Sequence, residues 1–302
     1  MIGSATPRRR VPLAALVALA VLGGLVLGVG IDVARSGGVG PWLARRGLPP
    51  PYIPQGERFD VGGGRMLYLD CRGEGAPTIV LEAGSGTDSA TWSAVHDPLA
   101  ATTRTCAYDR AGRGRSDSRD VHTLADAGTD LRALLEVAGE SGPFIVAGHS
   151  LGGAYARVFA STYRGEVTAV VLIDAFDPDL QDDFIHPLLG PLRAEYERGL
   201  DGLRAHVSRV DALDWTASEA QLRASSIDGL PLMAIVAPRR EPRLDAPTNE
   251  AIRLAWIAAY ESLSPGHLEH IVAWGAGHNV QIDRPDLVVE SIRRLVGTAI
   301  LP

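Results

Sequence analysis

Apolar residues in this chain fall into short continuous runs that alternate with amphipathic stretches. Runs such as "PTIVLEAG" (77–84) show no alternation of apolar and polar positions, which is typical of parallel strands buried on both faces of a sheet. Residues 123–138 and 151–162 carry the apolar spacing of helices that cover a sheet with one face. We therefore predict an α/β fold with a mostly parallel sheet flanked by helices.

Eight segments have the character of strands. In chain order they read "ERFDVGG", "RMLYLDCRG", "PTIVLEAG", "TRTCAYD", "PFIVAGHS", "VTAVVLID", "LPLMAIVAP" and "LEHIVAWG". The first two are joined by a turn of three glycines at 62–64, which predicts an antiparallel pair at the start of the sheet.

One long interruption breaks the alternation, at residues 176–229. Its pattern is helical and amphipathic, and it is longer than one crossover helix. We expect a small helical cap inserted after the sixth strand, over the carboxyl edge of the sheet, where the sites of open α/β sheets lie. Its larger apolar residues are expected to line an entrance or to form ordinary helix core. These residues are Phe184, Leu188, Leu189, Leu192 and Trp215.

The amino-terminal residues differ from the rest of the chain. Three arginines at 8–10 precede residues 11–31, which carry no charge. At about 1.5 Å per residue, a helix of that length spans a hydrocarbon core of about 30 Å. We expect a transmembrane signal anchor at 1–34, with a cleaved signal peptide and secretion as the alternative. The arginines favour a cytoplasmic amino terminus, which places the folded domain at 59–302 outside the cytoplasm, behind a Gly- and Pro-rich tether at 35–58.

Composition narrows the function classes. The chain has 302 residues and a formal charge of −7, which suits one large domain and argues against binding to nucleic acid, since that role needs a basic face. The two cysteines, Cys71 and Cys106, form a disulfide or remain two buried thiols, and their number and spacing do not suit a zinc site.

The segment "VAGHSLGG" (146–153) joins a predicted strand to a predicted helix and contains the pattern G-x-S-x-G, with Ser150 at its centre. A serine on so tight a turn has a strained backbone, so its neighbours must lack bulk. The amino end of the following helix offers N–H groups to a developing oxyanion. The pattern indicates that Ser150 is a nucleophile.

A serine nucleophile needs a general base. His278 is the best-placed histidine because it follows the last predicted strand and precedes a helix that we expect to begin at Pro285. A loop at the carboxyl edge of the sheet can bring it to Ser150. We expect a structural role for His149 and a solvated surface for His267 and His270. The remaining histidines carry no motif: His96, His122, His186 and His206.

These motifs resemble those of serine hydrolases with the α/β-hydrolase fold, of the esterase and lipase type. The resemblance runs from about Phe59 to the carboxyl terminus and rests on "GHSLGG", "YDRAGRGRSD", "LEAGSG" and "GAGHNVQIDRP". It implies an oxyanion hole made by the N–H groups of Leu151 and Ser85, with Gly84 as the alternative to Ser85. It also implies a loop-shaping segment without a catalytic role, at Asp109, Gly112, Gly114 and Ser116.

The acid departs from the pattern of the family. Most members carry Asp or Glu just after the seventh strand, where this chain reads "APRREPRLDAP". Asp174, at the carboxyl tip of the sixth strand, is our first candidate, and Asp245 is the second. Weaker alternatives are Glu241, Asp177 and Asp179. The acid must hold the imidazole tautomer, which requires reach rather than a fixed position in the sequence.

The residues together predict a carboxylic ester hydrolase with a Ser150–His278–Asp174 triad, acting on a small-molecule ester or related acyl compound through an acyl-enzyme. Ser150 argues against the dehalogenases and epoxide hydrolases of similar fold, which use Asp at that position. The resemblance implies no cofactor and no metal. The alternatives are an acyltransferase or a cofactor-free haloperoxidase on the same triad, or a non-catalytic binding protein tethered to a membrane.

Overall fold

The computed structural model describes residues 53–177, 184–238 and 242–299. These residues belong to one compact unit, Ile53–Pro302. The predicted membrane segment and most of the predicted tether lie outside the described residues. Among the residues that are described, no helix is long and apolar enough to span a bilayer.

The sheet has eight strands in the order β1-β2-β4-β3-β5-β6-β7-β8. Their bounds are β1 Glu57–Asp60, β2 Met66–Arg72, β3 Thr78–Glu82, β4 Thr105–Tyr108, β5 Phe144–His149, β6 Val167–Ile173, β7 Leu232–Val236 and β8 Leu268–Val272. β2 runs antiparallel to both of its neighbours, and all other pairs are parallel. This confirms the predicted mostly parallel sheet and its antiparallel start.

Helices cover the sheet and follow the sequence pattern closely. Their bounds are α1 His96–Ala100, α2 Leu124–Val137, α3 Leu151–Thr162, α4 Arg193–Val210, α5 Trp215–Ala224, α6 Ala246–Leu263, α7 Val280–Asp283 and α8 Pro285–Ala299. Short 3₁₀ segments lie at Ser89–Trp92, His186–Leu188 and Gly190–Leu192. α2 begins where Thr123 and Asp126 form a capping box, because each side chain satisfies a backbone N–H of the other. α8 begins at Pro285, as predicted.

The central strands are buried on both faces. Along β5, Phe144 and Val146 belong to one apolar cluster, while Ile145 and Ala147 belong to another on the opposite side of the sheet. This arrangement explains the continuous apolar run in the sequence, because successive side chains of a strand point to opposite faces. The carboxyl ends of the parallel strands therefore share one edge.

The predicted cap is present between β6 and β7. Its described part contains α4, α5 and two of the 3₁₀ segments. Leu213 and Leu222 of the cap pack in one cluster with Leu124 of α2 and Leu151 of α3. The cap is thus anchored on the two helices that flank the strand-to-helix turn at Ser150.

Cys71 and Cys106 are joined by a disulfide. They are direct partners in the antiparallel pairing of β2 with β4. Among the described residues, a possible metal-ligand group combines these two sulfurs with Glu140. Since both sulfurs are covalently joined, that group offers no thiolate to a metal ion.

Candidate active site

Ser150 lies between β5 and α3 with no intervening residue, and its backbone has φ 52° and ψ −123°. A φ in this range is unfavourable for a residue with a Cβ atom, so the turn is strained. Three hydrogen bonds hold it in place. The Ser150 N–H donates to the carbonyl of Ile173 at 3.1 Å, and the Ser150 carbonyl accepts from the N–H groups of Gly153 and Phe176, both at 3.0 Å.

The glycines of the turn are required by close backbone approach. A Cβ atom on Gly148 would lie 2.3 Å from the carbonyl oxygen of Gly152. One on Gly152 would lie 2.3 Å from the carbonyl oxygen of Glu82, at the end of β3. Neither contact can be relieved by a side-chain rotation, because the atoms that clash belong to the backbone. The G-x-S-x-G pattern therefore follows from the geometry of the turn.

His278 lies in the loop between β8 and α7 and connects the other two predicted residues. Its Nε2 atom is 2.9 Å from Ser150 Oγ, and its Nδ1 atom is 2.6 Å from Asp174 Oδ2. When Nδ1 carries the proton and donates to the carboxylate, Nε2 presents its lone pair to the serine hydroxyl. The imidazole is about half exposed, whereas the side chain of Asp174 is buried.

Asp174 directly follows β6 and is held by the end of β7. Its N–H donates to the carbonyl of Ile235 at 2.7 Å, and its Oδ1 accepts from the N–H of Ala237 at 3.2 Å. Its φ of 40° makes it a second strained residue at this edge of the sheet. One carboxylate oxygen is thus anchored on the neighbouring strand while the other meets His278.

The alternative acids have other partners. Asp245 is exposed and caps α6, where its side chain accepts from the N–H of Thr248 at 2.8 Å, and this hydrogen bonding lowers the pKa of the carboxyl group. Asp177 is buried in an ion pair with Arg157. The remaining two candidates, Asp179 and Glu241, lie outside the described residues.

His149 supports the loop that carries His278. Its Nε2 atom is 2.9 Å from the carbonyl oxygen of His278, and the two rings are 4.8 Å apart. Burial lowers the pKa of His149 to about 4, although the hydrogen bond to the His278 carbonyl opposes this fall. The ring is therefore neutral near pH 7, and this packing agrees with the structural role expected from the sequence.

The two predicted oxyanion donors line the same cavity as Ser150. Within the described part of the chain, no hydrogen-bond acceptor contacts the N–H of Leu151 or of Ser85. Leu151 is the first residue of α3. The positive end of the helix dipole therefore strengthens the attraction of its N–H for a negatively charged oxygen. Their role as oxyanion donors stays a prediction. It is compatible with their position beside Ser150 in the wall of the cavity.

Hydrogen bonds of Asp109 and Ser116 hold the segment that follows β4. The Asp109 carboxylate accepts from the N–H groups of Ser89 and Arg115, both at 2.8 Å. Ser116 Oγ donates to the carbonyl of Asp109 at 2.5 Å. Two side chains that no sequence motif assigned to the site contact the loop that carries Ser85. They belong to Arg110, within this segment, and to Asp211, at the end of α4. The "YDRAGRG" motif marked the segment but gave no sign of its partner in the cap.

A cavity of about 740 Å³ opens at Ser150 under the cap. Its wall is mainly apolar, and three of the five cap residues expected at an entrance contribute to it: Leu189, Leu192 and Trp215. The other two, Phe184 and Leu188, pack against the apolar core instead. Two charged side chains of the wall, Glu195 and Arg243, form an ion pair at 2.8 Å.

Comparison with known proteins agrees with this architecture. The profile described as "Alpha/beta hydrolase family" matches residues 79–291. The uncharacterized protein YqjL of Bacillus subtilis is 25% identical over 220 residues, which cover 72% of this chain and 82% of that protein. The solved structure of a thermophilic esterase from Thermogutta terrifontis, with malate bound, superimposes with a TM-score of 0.53 at 20% identity, covering 81% of this chain and 98% of the esterase.

Some curated relatives are much longer than this chain. The uncharacterized vacuolar membrane protein YNL115C of Saccharomyces cerevisiae is 36% identical over 125 residues, which cover 39% of this chain. The chain spans less than a fifth of the length of that protein and of some other curated relatives that it matches.

Proposed function

The chain belongs to the alpha/beta hydrolase family, and we propose that it is a serine hydrolase that cleaves an ester or related acyl bond of a small molecule. The observation that carries the proposal is the continuous series of hydrogen bonds from Ser150 Oγ through the His278 ring to the buried Asp174 carboxylate. The similarity to the thermophilic esterase shows the fold alone and adds no argument about chemistry.

In the proposed reaction, Ser150 Oγ attacks the carbonyl carbon of the substrate while His278 Nε2 takes the hydroxyl proton. Asp174 stabilises the imidazolium that forms. The N–H groups of Leu151 and Ser85 bind the oxyanion of the tetrahedral intermediate. When the intermediate collapses, the bond to the leaving alcohol breaks and His278 returns the proton to the alcohol oxygen. A water molecule then repeats the sequence on the acyl-enzyme and releases the acid and free Ser150.

The shape of the cavity supports a substrate with an apolar part. Its volume of about 740 Å³ falls within the usual range of about 300 to 1,000 Å³ for small-molecule sites. Its wall contains Phe176, Trp215 and Trp256 together with several aliphatic side chains. Since Glu195 and Arg243 neutralise each other, we propose an uncharged ester whose apolar part lies under the cap.

A labelling experiment tests the proposal. Purified protein is treated with a fluorophosphonate probe and assayed on p-nitrophenyl esters of increasing acyl length. We expect labelling and hydrolysis that are lost in Ser150→Ala and His278→Ala. The exposed residues Ser118 and His270 provide matched controls, and Ser118→Ala and His270→Ala should behave as wild type. Unchanged labelling of Ser150→Ala would contradict the proposal.

Addition of an alcohol to the same assay separates hydrolysis from acyl transfer. A hydrolase releases mainly the free acid, because water outcompetes the added alcohol for the acyl-enzyme. If the acyl group passes mainly to the alcohol at low concentration, the activity is that of an acyltransferase and the hydrolase assignment is wrong.

We also propose that residues 11–31 anchor the protein in a membrane with its folded domain outside the cytoplasm. The support is the uncharged run in the sequence and a relative that is called a vacuolar membrane protein. Carbonate extraction of membranes from cells that express the full chain tests the anchor, with a variant lacking residues 1–34 as the control. Recovery of the full chain in the extract would contradict it, and amino-terminal sequencing would show whether a signal peptide had been removed.

A further inference from the structure

Asp211 links the cap to the loop that carries the predicted oxyanion donor Ser85. It directly follows α4 and is buried. One carboxylate oxygen accepts from the N–H of Gly86 at 3.2 Å, and the other accepts from the hydroxyl of Ser85. A single side chain of the cap therefore holds two consecutive residues of the loop after β3.

Arg110 holds the same loop from the other side. Its guanidinium donates to the carbonyl oxygens of Ala83 and Gly84, at 2.5 Å and 2.7 Å, and it lies 3.4 Å from Asp211 Oδ1. The guanidinium carbon also lies 4.6 Å from the centre of the Tyr155 ring. Arg110 is buried, so its orientation is fixed by these contacts.

The contact with Gly84 fixes the direction of the Ser85 N–H. In a trans peptide the C=O and N–H groups of one unit point in opposite directions. The peptide bond between Gly84 and Ser85 is trans, since the cis bonds of the described chain lie before Pro77 and Pro143. Because the Gly84 carbonyl points to Arg110, the Ser85 N–H must point away from it. The Asp211 bonds to Ser85 and Gly86 then prevent the unit from rotating.

The backbone that presents Asp211 is strained and well held. In the described chain, three residues other than glycine have a positive φ: Ser150, Asp174 and Ala212, which follows Asp211 with φ 51°. Strained residues of this kind cluster at functional sites and persist where the surroundings fix them. Here the Ala212 carbonyl accepts from the N–H of His122 at 3.0 Å, and Arg113 donates to the carbonyl of Val210.

We propose that Asp211 is a positioning residue for the oxyanion hole, through which the cap, together with Arg110, holds the Ser85 N–H toward the reacting carbonyl of the substrate. The inference rests on the proposed hydrolase function. It also implies that transition-state stabilisation depends on the docking of the end of α4, whereas substrate binding in the cavity depends on other cap residues.

The test compares Asp211→Ala and Asp211→Asn with Asp214→Ala in steady-state ester hydrolysis. Asp214 is a matched control from the same cap, because it is exposed and caps α5 by accepting from the N–H of Ala217. Since loss of one oxyanion donor costs about 10²- to 10³-fold in kcat, and misplacement costs less, we expect Asp211→Ala to lower kcat by about 10- to 100-fold with KM changed less than about threefold. Asp211→Asn keeps an acceptor for Gly86 and should lie between Asp211→Ala and wild type.

A second readout separates positioning from a general loss of structure. An aryl boronic acid forms a tetrahedral adduct with a serine nucleophile and places an oxygen in the oxyanion hole. Its inhibition constant should rise in the Asp211 variants in step with the fall in kcat/KM. If Asp211→Ala does not fold, Ser85→Ala takes its place, because it removes the hydroxyl bonded to Asp211 but keeps the N–H. We expect Ser85→Ala to lower kcat less than Asp211→Ala would, with KM again nearly unchanged.

The outcomes distinguish this inference from the proposed function. Wild-type protein without hydrolysis that depends on Ser150 would overturn both. An active wild type whose Asp211 and Ser85 variants keep kcat and boronate inhibition would overturn only the positioning role. An equal loss of kcat in Asp214→Ala would likewise overturn it, since damage to the cap in general would then explain the effect.

Discussion

Asp174 Oδ2 lies 2.6 Å from His278 Nδ1, although the two residues are 104 positions apart in the chain. The contact arises because β6 and β8 flank β7 in a parallel sheet, so the loops that follow both strands emerge at the same edge. The end of β7 contributes a backbone N–H to the carboxylate at Ala237. Ala237 lies where most family members carry the acid, and in this chain its N–H holds the carboxylate of Asp174 instead.

This arrangement predicts different results for two carboxylates. Asp174→Asn should lower kcat by about 10⁴-fold, because the amide cannot hold the imidazole in the required tautomer. Asp245→Asn should keep the activity and nearly all the stability, since Asn is as good an N-cap as Asp. Both variants are assayed on the same p-nitrophenyl ester. If Asp245→Asn is the inactive one, the assignment of the acid is wrong.

His149 should make the stability of the fold depend on pH. Its pKa is about 4 in the folded protein and about 6.5 in an unfolded chain. Between these values the unfolded state takes up a proton that the folded state does not, so the stabilisation is present above pH 6.5 and is lost as the pH falls toward 4. We expect His149 to contribute a loss of about 3 kcal/mol in the free energy of unfolding across this window.

Urea denaturation at several pH values measures this loss. His149→Gln should flatten the slope between pH 6.5 and 4, while the exposed control His267→Gln should keep the wild-type slope. Part of the slope should remain in His149→Gln, because burial also lowers the pKa of His96 and His122. Equal slopes for wild type and His149→Gln would contradict the prediction.

Two glycine substitutions within helices should have opposite effects. Gly152→Ala brings a Cβ atom within 2.3 Å of the Glu82 carbonyl, so we expect a loss of about 1 to 3 kcal/mol in stability together with a loss of activity. Gly202→Ala, in α4, meets no atom within 4 Å and should raise stability by about 0.5 to 1 kcal/mol. Thermal and urea unfolding compare the two, and a neutral Gly152→Ala would contradict the close approach in the turn.

The disulfide should contribute to stability without affecting the chemistry. It closes a loop with a sequence separation of 35, for which the chain-entropy model gives about 4 kcal/mol. The double variant Cys71→Ala/Cys106→Ala should therefore melt at a lower temperature and keep kcat, since neither residue lines the cavity. Reductant should lower the melting temperature of wild type and leave the double variant unchanged. A wild type that does not respond to reductant would contradict the bond.

Much of this architecture could be predicted because it depends on local sequence. Continuous apolar runs predicted the central strands, since strands buried on both faces need such runs. Pro285 marked the start of a helix, because proline is favoured at the first helical position. The turn at Ser150 was recognisable because its glycines are required by contacts within a few residues and with the end of β3.

The rest depends on contacts between distant segments. The sequence could not decide between Asp174 and Asp245, because the choice depends on which loops meet at one edge of the sheet. It could not pair Cys71 with Cys106, because their contact is set by the register of β2 on β4. It gave no sign that Asp211 contacts Ser85, since those residues are 126 positions apart and the cap carries no motif.

The proposed hydrolysis requires Ser150 to form a covalent acyl-enzyme. Rapid quenching of the protein with a p-nitrophenyl ester, followed by intact mass and peptide mapping, measures this directly. We predict one added acyl group, located on Ser150, which is absent in Ser150→Ala and forms far more slowly in His278→Ala. Turnover without any adduct under these conditions, or an adduct on another residue that persists in Ser150→Ala, would contradict a nucleophilic role for Ser150.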